Sequence, residues 1–190
     1  MKKLATALKI FLLFTIITGF IYPLLIWGFG QLVFPEKANG SLIVQNDKVI
    51  GSRLIGQQFD SLQYFSSRPS AISYNSVTSG ASNYGLLSAT LESDVKNRKK
   101  EFIQRNNLSL ETQIPSEMVF TSASGLDPHI SPEAALIQVN RIVKIRNFNE
   151  MEKNSLIHLI DSLIEKPQFL CLGSSRINVL LLNIELDKIK

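Results

Sequence analysis

Hydrophobic positions divide the chain into one long apolar segment near the N-terminus and several shorter periodic segments after it. Residues 10–34 contain no charged side chain, and about 20 such residues suffice to cross a bilayer as a helix. A secretory signal has a shorter apolar region, roughly 7–15 residues, followed by a cleavage site of small residues. No such site lies in QLVFPEKANG, so we predict an N-terminal cytoplasmic tail and an uncleaved transmembrane anchor over residues 1–34.

The first segments after the anchor predict a hairpin, a loop and a helix. Two alternating apolar runs flank Asn46 and Asp47 and indicate a β-hairpin, with Gly51 at a bulge. Residues 60–85 are rich in Ser, Asn, Gly and Pro and show no sustained period. They predict a long loop, of a length that is often functional. Residues 86–107 then predict a charged helix.

Two further helices and a strand are predicted in the C-terminal half. Ser131, followed by a proline, is typical of a helix start. Asn149 with a glutamate three residues later predicts a capping box and a third helix. Residues 176–186, RINVLLLNIEL, predict a closing strand. The fold class is therefore α+β: one transmembrane helix, then a domain over residues 35–190 with a small sheet and about three helices.

The distribution of charge predicts the orientation of the anchor. The net charge is +4, and Lys2, Lys3 and Lys9 precede the apolar segment. Basic residues beside a span tend to stay in the cytoplasm, so we expect the N-terminus inside and residues 35–190 outside. That domain is close to neutral and lacks the basic surface typical of nucleic-acid binding.

The single cysteine and one of the two histidines predict no chemistry of their own. Cys171 has no partner for an internal disulfide, and its apolar surroundings, PQFLCLGS, predict a buried thiol. His158 lies off the apolar face of the third helix, so we expect it to be solvated.

One stretch, SGLDPHISPEAA, concentrates Ser124, Asp127, His129 and Ser131. A hydrolase would need its base held between nucleophile and acid, and Ser124 lacks the strand–turn–helix context of an exposed nucleophile. Ser131 fits a helix cap, and Asp127 fits a turn that bonds backbone N–H groups ahead of it. We therefore predict no catalytic residue, and assign Asp127 and His129 to structure or to docking of a partner.

The sequence favours neither a metal site nor an anion site. Catalytic zinc takes about three protein ligands, whereas the stretch offers two, so no metal ligand is predicted. SVTSGASN, residues 76–83, could cradle a phosphate, but no P-loop lysine follows and a plain loop is favoured. KNRKKEF, residues 96–102, could be an anion patch, but the solvated face of a helix is favoured.

The anchor carries residues that a simple tether does not need. Thr15 and Gly19 are four residues apart and form a small-residue groove on one helix face, which lets another helix approach closely. Pro23 removes a backbone hydrogen bond, a defect that is tolerated beside protein neighbours. These three residues are the candidate docking face within the membrane.

Several of these motifs together carry a resemblance. LIGQQF, YFSSRPSAISYN, SGASN, TSASGLDPHISPEAA and LGSSRINVLLLN come after a short-tailed anchor, and the chain resembles the C subunit (KdpC) family of the Kdp potassium-transporting ATPase over nearly its whole length. The resemblance implies an accessory subunit in the cytoplasmic membrane of a bacterium. The implied partners are a potassium-binding, channel-like subunit and an ATP-hydrolysing P-type subunit.

The resemblance also implies a catalytic chaperone that raises the ATP affinity of the ATPase subunit, and it makes ATP the one cofactor to consider. The chain departs from the family pattern at Gly80-Ala81, where two glycines are usual, at LLSATL and at GSSR. It has no Walker loop, and the expected topology places the domain where ATP is scarce. These points argue against direct ATP binding by this chain.

Two alternatives of other classes remain open. One is a membrane-anchored extracytoplasmic hydrolase built on Asp127 and His129, and the other is an anchored ligand-binding sensor. Companion membrane subunits are expected only for the accessory subunit of a pump, so co-purification separates that hypothesis from the other two.

The orientation can be tested directly. A reporter that is active only outside the cytoplasm, fused after Lys190, should be active because the three N-terminal lysines hold the tail inside. The matched control is a cytoplasm-specific reporter at the same site. An active control with a silent external reporter would reverse the topology and reopen ATP binding.

Overall fold

The computed structural model describes residues 2–169 and 171–189 and divides into two compact units. The first unit ends at Ser52 and the second begins at Arg53. The membrane-anchor boundary expected at residue 34 stays a prediction.

The first unit is dominated by one apolar helix, Lys2–Val33, which is long enough to cross a membrane. It consists of α1 (Lys2–Ile16), one π-helical turn (Ile17–Ile21) and α2 (Tyr22–Val33). None of its described residues is buried. Because a large continuous apolar surface is unusual on a protein in water, this helix is suited to lipid or to other helices.

A short helix and a hairpin complete the first unit: α3 (Pro35–Ala38), β1 (Leu42–Gln45) and β2 (Lys48–Ser52). The strands are antiparallel, and their register shifts opposite Gly51. The two residues between the strands, Asn46 and Asp47, have φ of 50° and 59°. Asn and Asp tolerate this left-handed region, so the predicted hairpin and its bulge are confirmed.

The second unit contains four longer helices around one core. They are α4 (Ala89–Asn106), α5 (Pro132–Arg146), α6 (Glu150–Ser162) and α7 (Val179–Leu186). A 3₁₀ turn (Ser116–Met118) and a two-stranded antiparallel ladder, β3 (His129–Ile130) with β4 (Ile177–Asn178), link them. The α+β class is confirmed.

Local capping explains where the helices begin. Ser131 Oγ accepts the N–H of Ala134 at 3.1 Å. Asn149 and Glu152 form the predicted capping box, with side chain-to-backbone bonds of 2.9 and 2.7 Å. Each cap satisfies N–H groups that have no partner within the helix, so the predicted starts of the second and third helices are confirmed.

The predicted closing strand is wrong over most of its length. Only Ile177–Asn178 is a strand, and Val179–Leu186 is α7. Asn178 caps this helix, because its Oδ1 accepts the N–H of Leu181 at 3.1 Å. An apolar run of this length cannot be assigned by period alone, and its leucines favour a helix.

The burial predicted for Cys171 is also wrong, whereas His158 is exposed as expected. Cys171 lies at the tip of a short hairpin closed by the bridge between Gln168 and Leu172. Its backbone N–H donates to the Gln168 carbonyl at 3.2 Å. Phe169 in the same tip is 86% exposed, so these apolar residues face outward instead of filling the core.

The loop that precedes α4 is held by buried polar side chains instead of by a sheet. Arg141 on α5 donates to the carbonyls of Leu62 and Tyr64. Asn183 on α7 accepts a hydrogen bond from the Phe65 N–H at 2.8 Å and donates one to the Phe65 carbonyl at 3.0 Å. These bonds seat the Phe65 ring in the core with no exposed surface.

Arg141 is the largest contributor to this network and its loss should be costly. Arg141→Met leaves several buried acceptors without a donor, among them Asn106 Oδ1 at 2.9 Å, and each costs about 1–3 kcal/mol. We expect a loss of about 3 kcal/mol or more in unfolding free energy, measured by thermal denaturation in detergent. Lys144→Met, which removes the same charge from an exposed position of α5, should change it little; equal losses would contradict the account.

Candidate functional site

The segment before α5 is built from a series of local side chain-to-backbone bonds. Ser124 Oγ accepts the N–H of Leu126 at 3.1 Å, and Asp127 Oδ1 accepts the N–H of His129 at 3.0 Å. The Asp127 turn expected from the sequence is therefore present. Both groups are occupied by the backbone, and the Ser131 hydroxyl is occupied by its cap.

A close approach of two chain segments explains the glycines around this turn. The Gly56 N–H donates to the Leu126 carbonyl at 2.7 Å, and a Cβ on Gly56 would lie 2.6 Å from the carbonyl oxygen of Asp127. Gly125 has φ of +70°, a left-handed conformation that favours glycine.

The SGASN loop packs against the same segment. The Gly80 N–H donates to the Ser124 carbonyl at 3.0 Å, and the Thr78 N–H donates to the Asn75 carbonyl at 3.3 Å. The Val77 N–H also has a partner, Asn75 Oδ1 at 3.0 Å. N–H groups that a phosphate cradle would present are thus used within the protein, which supports the plain-loop interpretation.

Arg68 is the residue that sequence reasoning missed. Its Nη1 lies 2.7 Å from Asp127 Oδ2, although the two residues are 59 positions apart. The side chains are 24% and 28% exposed, so this ion pair is partly shielded from water. One signal was available, since Arg68 is the only charged residue between Asp60 and Glu92.

His129 lies between two carboxylates. Its Nδ1 is 3.5 Å from Asp127 Oδ1, and its Nε2 is 3.9 Å from Glu165 Oε2. Arg176 in turn pairs with Glu165 at 2.9 Å. His129, Asp127, Arg176 and Arg68 line a surface depression of about 270 Å³.

The charged partners of Asp127 set its protonation. Burial acts to raise the pKa of its carboxyl, but the hydrogen bonds from His129 and the charge of Arg68 outweigh burial and lower that pKa. Asp127 is therefore a carboxylate at neutral pH, and its oxygens are already bonded to Arg68 and the His129 backbone. A carboxylate that is already bonded in this way is better suited to holding neighbouring side chains in place than to abstracting a proton.

Metal binding has no support among the described residues. No group of three or more His, Cys, Asp or Glu side chains is placed to hold an ion there. Asp127 and His129 are brought together, but the two other carboxylates nearby are already bonded, Glu165 to Arg176 and Glu117 to the Ser131 N–H.

The three candidates in the anchor lie around the π-helical turn. Thr15 Oγ1 donates to the Phe11 carbonyl at 2.8 Å, so its hydroxyl is satisfied within the helix. Gly19 is in the centre of the turn, and apart from its chain neighbours and the adjacent backbone of its own helix no described atom lies within 4 Å of where its Cβ would be. Pro23 comes after the turn, in the first turn of α2. π-helical turns and proline are both recognised causes of kinks.

Comparison with known proteins decides the family. The family model described as "KdpC: K+-transporting ATPase, c chain" matches residues 4–188. The chain belongs to the KdpC family.

KdpC relatives match along nearly the full length of the chain. A protein of Leptospira interrogans named potassium-transporting ATPase KdpC subunit is 40% identical, covering 97% of this chain and 93% of its own. Proteins of the same name from Burkholderia orbicola and Flavobacterium psychrophilum are 44% and 40% identical, covering 98% and 100% of this chain and 97% and 100% of their own.

Membership of the KdpC family confirms the resemblance inferred from the motifs. It makes the chain a subunit of the K+-transporting ATPase complex. The single N-terminal apolar helix agrees with single-pass anchoring of such a subunit.

The ion pair of Asp127 generates a prediction about pH. A carboxyl whose pKa is lower in the folded than in the unfolded state stabilises the fold above its unfolded pKa, about 3.9. That contribution is lost as pH falls through the folded value. The stability difference between wild type and Asp127→Asn should therefore be present at pH 7 and shrink as the pH falls below about 4.

Denaturant titrations of both proteins across that pH range measure this difference. Asp161→Asn, at an exposed position of α6, is the control and should leave the acid profile unchanged. A difference between wild type and Asp127→Asn that does not vary with pH would contradict the assigned ion pair.

Proposed function

We propose that the chain is a non-catalytic accessory subunit of a potassium uptake pump, and that it assembles or stabilises the complex. The full-length match to the KdpC family carries this proposal. Its partners would be a potassium-binding, channel-like subunit and an ATP-hydrolysing P-type subunit in the cytoplasmic membrane of a bacterium. The N-terminus would lie inside and the domain outside.

The exposed apolar helix supports a role in assembly. Its large side chains have no cover within the protein; Leu24, for example, is 62% exposed. Inside lipid, helices associate through close packing of small residues. The turn at Gly19 presents such a surface, with Thr15 and Pro23 beside it, and we propose it as the docking face in the membrane.

The depression at Asp127 and His129 is the corresponding candidate on the domain. Its charged side chains are fixed by one another, so a partner would meet a preformed surface and lose little side-chain entropy on docking. Since the hydroxyls of Ser124 and Ser131 are bonded to the backbone, we favour docking over hydrolysis. The KdpC-type effect on ATP affinity would then act through the ATPase subunit, without ATP bound to this chain.

Co-purification from native membranes tests both the accessory-subunit role and the proposed docking face in the membrane. Wild-type chain extracted in mild detergent should carry companion membrane subunits, identified by mass spectrometry. Gly19→Leu should still insert and fold, but a smaller amount of the companion subunits should co-purify with it. A helix contact of this kind is worth on the order of 1 kcal/mol, or roughly fivefold in affinity.

Leu13→Ile, a conservative change elsewhere on the exposed helix, is the matched control. Equal retention of companions by Gly19→Leu and by the control would remove the turn as a docking face. Absence of any companion with the wild-type chain would remove the accessory-subunit proposal itself and favour the sensor or hydrolase.

A further inference from the structure

A second concavity, distinct from the depression at His129, lies between the long loop and α4. It has a volume of about 300 Å³, and the two share only Arg68 among their lining residues. Three arginines line it, Arg68, Arg98 and Arg105. Three hydroxyl residues also line it, and two of them, Ser67 and Tyr74, already donate to backbone carbonyls, whereas Ser66 does not. We call it the arginine pocket.

Arg105 is held in the arginine pocket by the backbone and not by a carboxylate. Its Nη2 donates to the carbonyls of Phe59, Asp60 and Ser61, at 2.8, 3.0 and 3.3 Å. Within the described part of the chain it forms no ion pair. Its guanidinium is therefore fixed in position without a carboxylate bonded to it.

Unpartnered polar atoms concentrate at this one place. Among the described residues, the buried side-chain atoms that lack a hydrogen-bond partner are Ser66 Oγ, Arg68 Nε and Arg105 Nε. All three belong to residues that line the arginine pocket. A buried polar atom without a partner costs about 1–3 kcal/mol, so three around one cavity point to a ligand that would satisfy them.

Two carboxylates also line the pocket, and the charge of one of them, Asp60, acts on Arg105 without forming an ion pair with it. Asp60 and Glu101 are both exposed, and neither forms an ion pair with a pocket arginine in the described structure. Asp60 instead accepts a hydrogen bond from Gln58 at 2.9 Å. Arg98 already has a carboxylate partner on its own helix, Asp94 at 3.3 Å, so Arg105 is the pocket arginine without a bonded carboxylate in the described structure.

We propose that the arginine pocket binds a small free oxyanion of the phosphate or carboxylate class, held by Arg68, Arg105 and the Ser66 hydroxyl. Oxyanions accept several N–H and O–H donors at once, and guanidinium groups match their geometry. An uncharged ligand would leave Arg105 without a bonded anion. The site depends on neither assembly nor orientation in the membrane.

Ser66→Ala gives the sharpest test. The Ser66 hydroxyl has no hydrogen-bond partner in the protein, so its removal leaves the fold intact, while the oxyanion loses one donor. Calorimetric titration of the full chain in detergent with inorganic phosphate, at constant ionic strength, should give saturable binding. Ser66→Ala should weaken it about fivefold, and Arg105→Gln, which removes a charged donor, about tenfold or more.

Lys100→Gln is the matched control, because it removes the same charge from an exposed position of α4 outside the pocket. It should bind phosphate as the wild type does. Acetate is titrated in the same way as the carboxylate probe. Saturable binding of either anion that Ser66→Ala weakens supports the site; no saturable binding of either, or equal affinity in Ser66→Ala and wild type, overturns it, even if Arg105→Gln fails to fold.

Discussion

The second unit depends on one constraint: residues 64–66 enter its interior without a neighbouring strand. Their backbone N–H and carbonyl groups must still be bonded once they leave water, and three buried side chains supply those bonds. Arg141 and Gln138 on α5 and Asn183 on α7 reach the loop backbone from two helices. Core packing and loop position are therefore fixed together, because the groups that bond the loop lie on helices that the core itself holds.

The residues just after this buried segment are positioned by it. Phe65 is locked in the core, so Ser66 to Arg68 emerge at a defined point on the surface. There Arg68 reaches Asp127 at 2.7 Å, and Ser66 lines the arginine pocket. A loop with neither helix nor strand thus positions both of these polar concavities of the domain, which is how a segment without regular structure can carry function on a rigid scaffold.

The features that could be predicted from the sequence are those set by neighbouring residues. The caps at Ser131 and Asn149 and the turn at Asp127 each bond groups two or three positions away, and all three are predicted correctly. The last helix is not predicted correctly, because a leucine-rich run fits either a helix or a strand. Asn178 can be recognised as a cap only once the helix after it is known. The contact of Arg68 with Asp127 joins residues 59 positions apart, and no local pattern encodes it.

The guanidinium of Arg68 is shared between the two concavities, with Nη1 on Asp127 and Nε buried beside the arginine pocket. Two sites that use one cation are thermodynamically linked, and the linkage is reciprocal. An anion near Nε would draw on the positive charge that, together with the hydrogen bonds from His129, lowers the pKa of Asp127, and would raise the proton affinity of that carboxylate. Conversely, a proton on Asp127 would leave the Arg68 charge free to bind the anion more tightly. Occupancy of one concavity would then change the affinity of the other without any movement of the backbone.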